Sequence, residues 1–139
     1  MIPKLRVWDD ETKVMWNIER WHIEDEYFDL IEPNKSVVDP NTNRVWRKQS
    51  DVILMQSTGI FDNSTPKKEI FEGDILKCTS INGRLWHETN VSWDSTIAGF
   101  AIHKNIYEAT SIGYLMDSKT ITVEIIGNIY QNPELVKEL

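Results

Sequence analysis

Apolar and polar positions alternate in short runs along the chain. Turn-forming residues break the runs apart, and helical spacing is scarce. From 4 to 8 the order Lys4, Leu5, Arg6, Val7, Trp8 puts Leu5 and Val7 on one face, with Lys4, Arg6 and Trp8 on the other. After the polar Asp9-Asp10-Glu11-Thr12, alternation resumes with Val14 and Trp16 on one side, so the two runs predict a hairpin. The stretch from 21 to 30 reads two ways, as a strand or as a short helix packing Ile23, Tyr27 and Leu30. Prolines and asparagines crowd residues 32 to 51, among them Pro33, Asn34, Pro40, Asn41 and Asn43. This composition predicts a loop or weak hairpin whose strand-like pieces are Ser36-Val37-Val38 and Arg44-Val45-Trp46.

Beyond this stretch the strand signals strengthen. Val52-Ile53-Leu54-Met55 is a continuous apolar run and predicts a strand buried on both faces. Asp62-Asn63-Ser64-Thr65-Pro66 is a polar loop. Gly73 then sits where a chain turns with positive φ before the alternating run Ile75 to Cys78. Asn82-Gly83 is the strongest hairpin dipeptide of the chain. In the run after it Leu85, His87, Thr89, Val91 and Trp93 share a face, which predicts Trp93 in the core. Further strands are predicted near 98–103 and 120–127, with a bulge where Ile125-Ile126 breaks the period. In the tail, Asn132 and Pro133 stand as N-cap and N1 of a short terminal helix that would dock Leu135, Val136 and Leu139. The fold class is therefore mainly β. An N-terminal β-hairpin and irregular region occupies 1–51, and an SH3-like small barrel region closed by a short C-terminal helix occupies 52–139.

Charge narrows the functional classes. Twenty-two acidic residues against fifteen basic ones give a net charge of −7, which argues against broad binding of a phosphate backbone. Forty per cent apolar content sets the chain apart from disordered ones. No apolar run is long enough to span a membrane, and Met1 to Arg6 lacks the apolar stretch of a secretory signal; a cytoplasmic protein is expected. The single cysteine, Cys78, excludes an internal disulfide and reads as a small core residue at the end of a strand. With no P-loop, no G-x-G-x-x-G and no G-x-S-x-G, no cofactor and no catalytic residue are expected.

Several groupings still carry chemistry. Glu69, Glu72 and Asp74 offer three carboxylates to a divalent ion, or they form a turn entering a strand in which Asp74 accepts a backbone hydrogen bond. The Gly73-Asp74 step also resembles the strand entry of SH3-like barrels. His22, Glu24 and Glu26 share a face if their segment is a strand, against the plainer reading of a solvated acidic face. His22, His87 and His103 lack the close spacing of a zinc motif. Trp8 and Trp86 fall on otherwise polar strand faces. Such a residue covers a neighbouring element, anchors a partner, or stacks on bases. Trp46 lies beside Arg44, Arg47 and Lys48, where basic residues collect into a local patch.

Three stretches together carry a resemblance. They are Lys4-Leu5-Arg6-Val7-Trp8-Asp9 with Lys13-Val14-Met15; Leu54-Met55-Gln56-Ser57-Thr58-Gly59 through Lys68-Glu69-Ile70-Phe71-Glu72-Gly73-Asp74-Ile75; and Val123-Glu124-Ile125-Ile126-Gly127-Asn128-Ile129-Tyr130-Gln131-Asn132-Pro133-Glu134-Leu135. In this order they resemble the YopX-like family of small phage and prophage proteins; the loop between Gly59 and Lys67, with Asn63-Ser64-Thr65-Pro66, and residues 18–51 depart from its pattern. The resemblance implies one strand-rich unit, made in the cytoplasm of a bacterial host, with no assigned activity and no catalytic residues to carry over. The expected function is that of an accessory protein acting through protein–protein contact or self-association as a homo-oligomer. Trp8, Trp86 and Trp46 are its candidate contacts. A nucleic-acid-binding module and a metal-dependent hydrolase using Glu69, Glu72 and Asp74 are the rival classes.

Overall fold

The structure, a computed structural model, describes residues 4–33, 41–105 and 108–136. It is mainly β, with antiparallel sheets and one short helix. In chain order the strands are β1 (Leu5–Asp9), β2 (Val14–His22), β3 (Tyr27–Ile31), β4 (Arg44–Lys48), β5 (Ile53–Phe61), β6 (Glu69–Phe71), β7 (Asp74–Ser80), β8 (Leu85–Asn90), β9 (Ser92–Asp94), β10 (Gly99–Asn105) and β11 (Glu108–Ser111). Helix α1 (Ile112–Asp117) and β12 (Ile121–Asn128) follow. The chain divides into two compact units, Met1–Gln56 and Ser57–Leu139, and β5 runs from one into the other.

In the first unit the strands are ordered β4-β3-β2-β1-β5. The predicted hairpin is β1 with β2, Val7 opposite Trp16. The ambiguous stretch at 21–30 is the second hairpin. A turn over residues 23–26, with Glu26 at φ +55, returns the chain into β3. A register shift between Ile18 and Arg20 keeps Ile18 and Trp21 in register with Leu30 and Phe28. The core of this unit is Val7, Trp16, Phe28 and Leu30.

Two expectations are corrected here. Trp8 is only 4% exposed, because β1 is an inner strand and Trp8 lies between Met15 and Ile53 of the flanking strands. Alternation assigns Trp8 to the face of Arg6, and there its own side chain is buried. Conversely, the run at 52–55 is not buried on both faces, since Ile53 is 41% exposed. Strand-like Arg44-Val45-Trp46 is β4, while Ser36-Val37-Val38 lies outside the described residues.

In the second unit β5 pairs with β6, and two three-stranded antiparallel sheets have the orders β11-β10-β9 and β12-β7-β8. Strands were expected near 73–79, 84–94, 98–103 and 120–127, and β7, β8 with β9, β10 and β12 occupy those places. Gly83 turns the chain at φ +82, and the predicted bulge appears as a register shift between Ile125 and Gly127. The core joins Ile70, Leu76, Cys78, Val91, Ile102 and Val123 to Ile112 and Leu115 of α1. Ser111 caps α1 by accepting the Tyr114 N–H at 3.1 Å.

Trp93, expected in the core, is 55% exposed and meets the Phe100 ring edge-on at 5.3 Å. The alternating run breaks at Val91, where the chain leaves one sheet for the other, so Trp93 does not inherit the face of Thr89. The terminal helix is a single 3₁₀ turn, Pro133–Leu135. Asn132 makes no cap bond there; its side chain instead accepts the Asn128 N–H at 3.1 Å. Val136 is exposed, and Leu139 lies outside the described residues.

Candidate functional site

The most exposed tryptophan of the described residues is Trp46, at 62%. In β4 its neighbours Val45 and Arg47 oppose Leu30 and Phe28, two core residues of β3, so Trp46 stands on the opposite face by strand alternation. That face carries Tyr27 opposite Lys48, Asp29 opposite Trp46, and His22 opposite Tyr27. The His22 and Tyr27 rings stack at 4.0 Å, and Tyr27 meets Trp46 edge-on at 6.2 Å. His22 Nε2 lies 2.8 Å from Asp29 Oδ2, which fixes that carboxylate beside the rings. Asp25, Tyr27, Asp29, Trp46 and Lys48 line a cleft of about 440 Å³. Its equipment is two aromatic rings, two carboxylates and one ammonium, a set suited to recognition.

The basic residues beside Trp46 are engaged by carboxylates. Arg47 Nε lies 3.2 Å from Oδ2 of Asp9, a residue 1% exposed, and 3.5 Å from Glu11. Arg44 Nε lies 2.9 Å from Glu19. Asp9 also accepts from the Thr12 hydroxyl at 2.7 Å, so it organises the β1–β2 turn while holding Arg47. Two of the three cations grouped beside Trp46 are thus paired with carboxylates within the fold.

The other candidates lie in the second unit. Trp86 is half-buried and packs against the core. Gly73 has φ +88, and the buried Asp74 carboxylate accepts the Phe71 N–H at 2.8 Å, the geometry of a turn feeding β7. Among the described residues no group of three or more His, Cys, Asp or Glu side chains is placed to hold a metal ion. Cys78 is fully buried, and desolvation pushes its thiol up to about 11, which suppresses the nucleophilic thiolate. His87 Nε2 lies 3.1 Å from the His103 carbonyl, and His103 Nε2 lies 2.9 Å from Asp94 Oδ2. The His103 bond, and then the Thr96 N–H, hold the Asp94 carboxyl below its ordinary range.

Sequence reasoning missed the His22–Asp29, Asp94–His103 and Asp9–Arg47 pairings. Only the hairpin register reveals the first, and nothing local signals the last, which spans 38 positions. Among the described residues no helix is long and apolar enough to cross a membrane.

A strand-rich fold with an exposed aromatic–carboxylate face is the class these features define. The YopX protein family model matches residues 4–137, and the chain belongs to that family. It is 28% identical over 144 residues to the SPbeta prophage-derived uncharacterized protein YopX of Bacillus subtilis (strain 168), covering 95% of this chain and 94% of that protein. Among solved structures, protein EF1440 from Enterococcus faecalis matches with a TM-score of 0.61 at 22% identity, over 99% of both chains. The Bacillus subtilis yopX crystal structure matches with a TM-score of 0.56 at 20% identity, over 96% of this chain and 98% of that one. These likenesses agree with the mainly β fold.

Proposed function

We propose that the chain is a prophage-encoded accessory protein that works in the bacterial cytoplasm by contacting another protein and catalyses no reaction. The contact surface is the Trp46 face of the first unit. The observation that carries this reading is the exposure of Trp46, at 62%, beside Tyr27 on a sheet face already equipped with fixed polar groups. Large aromatic anchors contribute disproportionately to interfaces, often about 2 kcal/mol or more each. Trp8 has no part in it, because it is buried within the unit. A nucleic-acid contact is disfavoured, since Arg44 and Arg47 face Glu19, Asp9 and Glu11.

The test is capture of host proteins by the wild-type chain and by Trp46→Ala, with sedimentation velocity to detect self-association. The expected result is a complex, with a host protein or with a second copy, that Trp46→Ala abolishes while circular dichroism stays unchanged. A complex indifferent to Trp46→Ala would overturn the assignment of the surface. Steeply salt-dependent oligonucleotide binding at physiological salt would overturn the class.

A further inference from the structure

Resting on the contact reading above, we propose that the cleft between Tyr27 and Trp46 receives a cationic side chain, arginine or lysine, carried on an extended segment of the partner protein. The lining sets the carboxylates of Asp25 and Asp29 against the single ammonium of Lys48, beside the rings of Tyr27 and Trp46. Aromatic rings and carboxylates together favour a guanidinium or ammonium group. The surrounding charge has the same sign. Across residues 19–29, Glu19, Glu24, Asp25, Glu26 and Asp29 face only Arg20 as a fixed cation, a balance of −4 with His22 neutral. Glu19 is paired with Arg44, but Glu24, Asp25 and Glu26 all lie in the exposed turn over residues 23–26. Lys48 and Arg20, opposite Tyr27 and Asp29 in register, and Arg44, which is paired with Glu19, are the countering cations on this face.

The backbone beside the cleft indicates how such a segment lies. Among the described residues β4 is an edge strand of its sheet. The Gln49 N–H donates to the Glu26 carbonyl and the Glu32 N–H to the Asn43 carbonyl. By antiparallel alternation the backbone groups of Arg44, Trp46 and Lys48 therefore point away from β3. Those are the residues whose side chains share the cleft's face, so a strand added along β4 sends alternate side chains toward it. The Trp46 carbonyl also accepts from Arg47 Nη1 at 2.9 Å, leaving its N–H as the freer edge group.

The experiment titrates the full chain with two acetylated, amidated peptides, Thr-Arg-Thr-Arg-Thr and Thr-Glu-Thr-Glu-Thr. Nitrogen–proton NMR follows the Trp46 indole N–H and the β4 amides. The arginine peptide is expected to shift both sets saturably. Its affinity should fall about fivefold or more in Trp46→Ala and in an Asp25→Asn/Asp29→Asn variant whose amide spectra remain dispersed. Equal binding of both peptides, no saturable shift, or affinity unchanged in the two variants would overturn the proposal. If Trp46→Ala abolishes the cellular complex while the arginine peptide fails to bind, the contact surface stands and the cationic guest falls.

Discussion

Asp62 holds the edge of β12 in place of a strand, and its removal has a calculable cost. The residue is fully buried, and its carboxylate collects four donors. Oδ1 accepts the Lys68 N–H at 2.8 Å, the Ser64 N–H at 3.2 Å and the Ser64 hydroxyl at 2.6 Å, while Oδ2 accepts the Ile125 N–H at 3.0 Å. Next to it the Asn63 side chain accepts the Val123 N–H at 2.8 Å, and the Asn63 N–H donates back to the Val123 carbonyl. The loop thus satisfies β12 on the side away from β7. In Asp62→Ala, Ser64 regains water, whereas the N–H groups of Lys68 and Ile125 lose a charged acceptor. At about 1.5–3 kcal/mol for each such bond, offset by relief of the carboxylate's burial, the net loss is about 2–4 kcal/mol.

The pH dependence carries a sign. Burial raises the Asp62 pKa, but the Ser64 hydroxyl and the N–H groups of Lys68, Ile125 and Ser64 outweigh it and hold the carboxyl below its ordinary value. A depressed carboxylate contributes its full stability above the unfolded pKa of about 4 and loses it as pH falls through the folded value. Urea denaturation of wild type and Asp62→Ala between pH 7 and pH 3 reads both effects. The gap between the two proteins should be constant from neutral pH to about 5 and then narrow. A gap below about 0.5 kcal/mol at pH 7, or one that does not change with pH, would refute the reasoning.

Arg47→Ala leaves the buried Asp9 without its guanidinium and should destabilise the fold by about 2–4 kcal/mol, with Thr12 retaining part of the carboxylate's bonding. In a double-mutant cycle with Asp9→Ala the two losses should fall short of additive, which urea denaturation measures. Gly73→Val forces a branched side chain onto a residue at φ +88 and should cost more than about 1 kcal/mol, read from the thermal midpoint. Cys78 should resist iodoacetamide at pH 8 in the native protein and react once unfolded, because burial shields it and raises its thiol to about 11.

The hairpins were legible wherever a period of two met a strong turn, as at 5–17 and around Asn82-Gly83, because both signals are local. Alternation reports parity, not which face is wet. Trp8 was assigned correctly to the face of Arg6 and is still buried, because Met15 and Ile53 of the two flanking strands pack beside it. Trp93 failed for a different reason: the break at Val91 moves it into another sheet. Helix α1 went unread although Ser111 caps it and Ile112, Leu115 and Met116 have helical spacing, because six residues give too short a period to stand out. Of the contact face, Trp46 and its basic neighbours were visible in sequence. The carboxylates that occupy Arg44 and Arg47, and the His22–Tyr27–Trp46 ring row, arise only from strand pairing.

The central claim is that Trp46 touches a partner in the cell. Its most direct test is site-specific photo-cross-linking in the bacterial host, with p-benzoylphenylalanine at position 46 and, as a control, at Thr122, an exposed residue of the second unit. A defined adduct from position 46 and none from position 122 is the expected result. An adduct from 122 alone, or from neither position, would contradict the account.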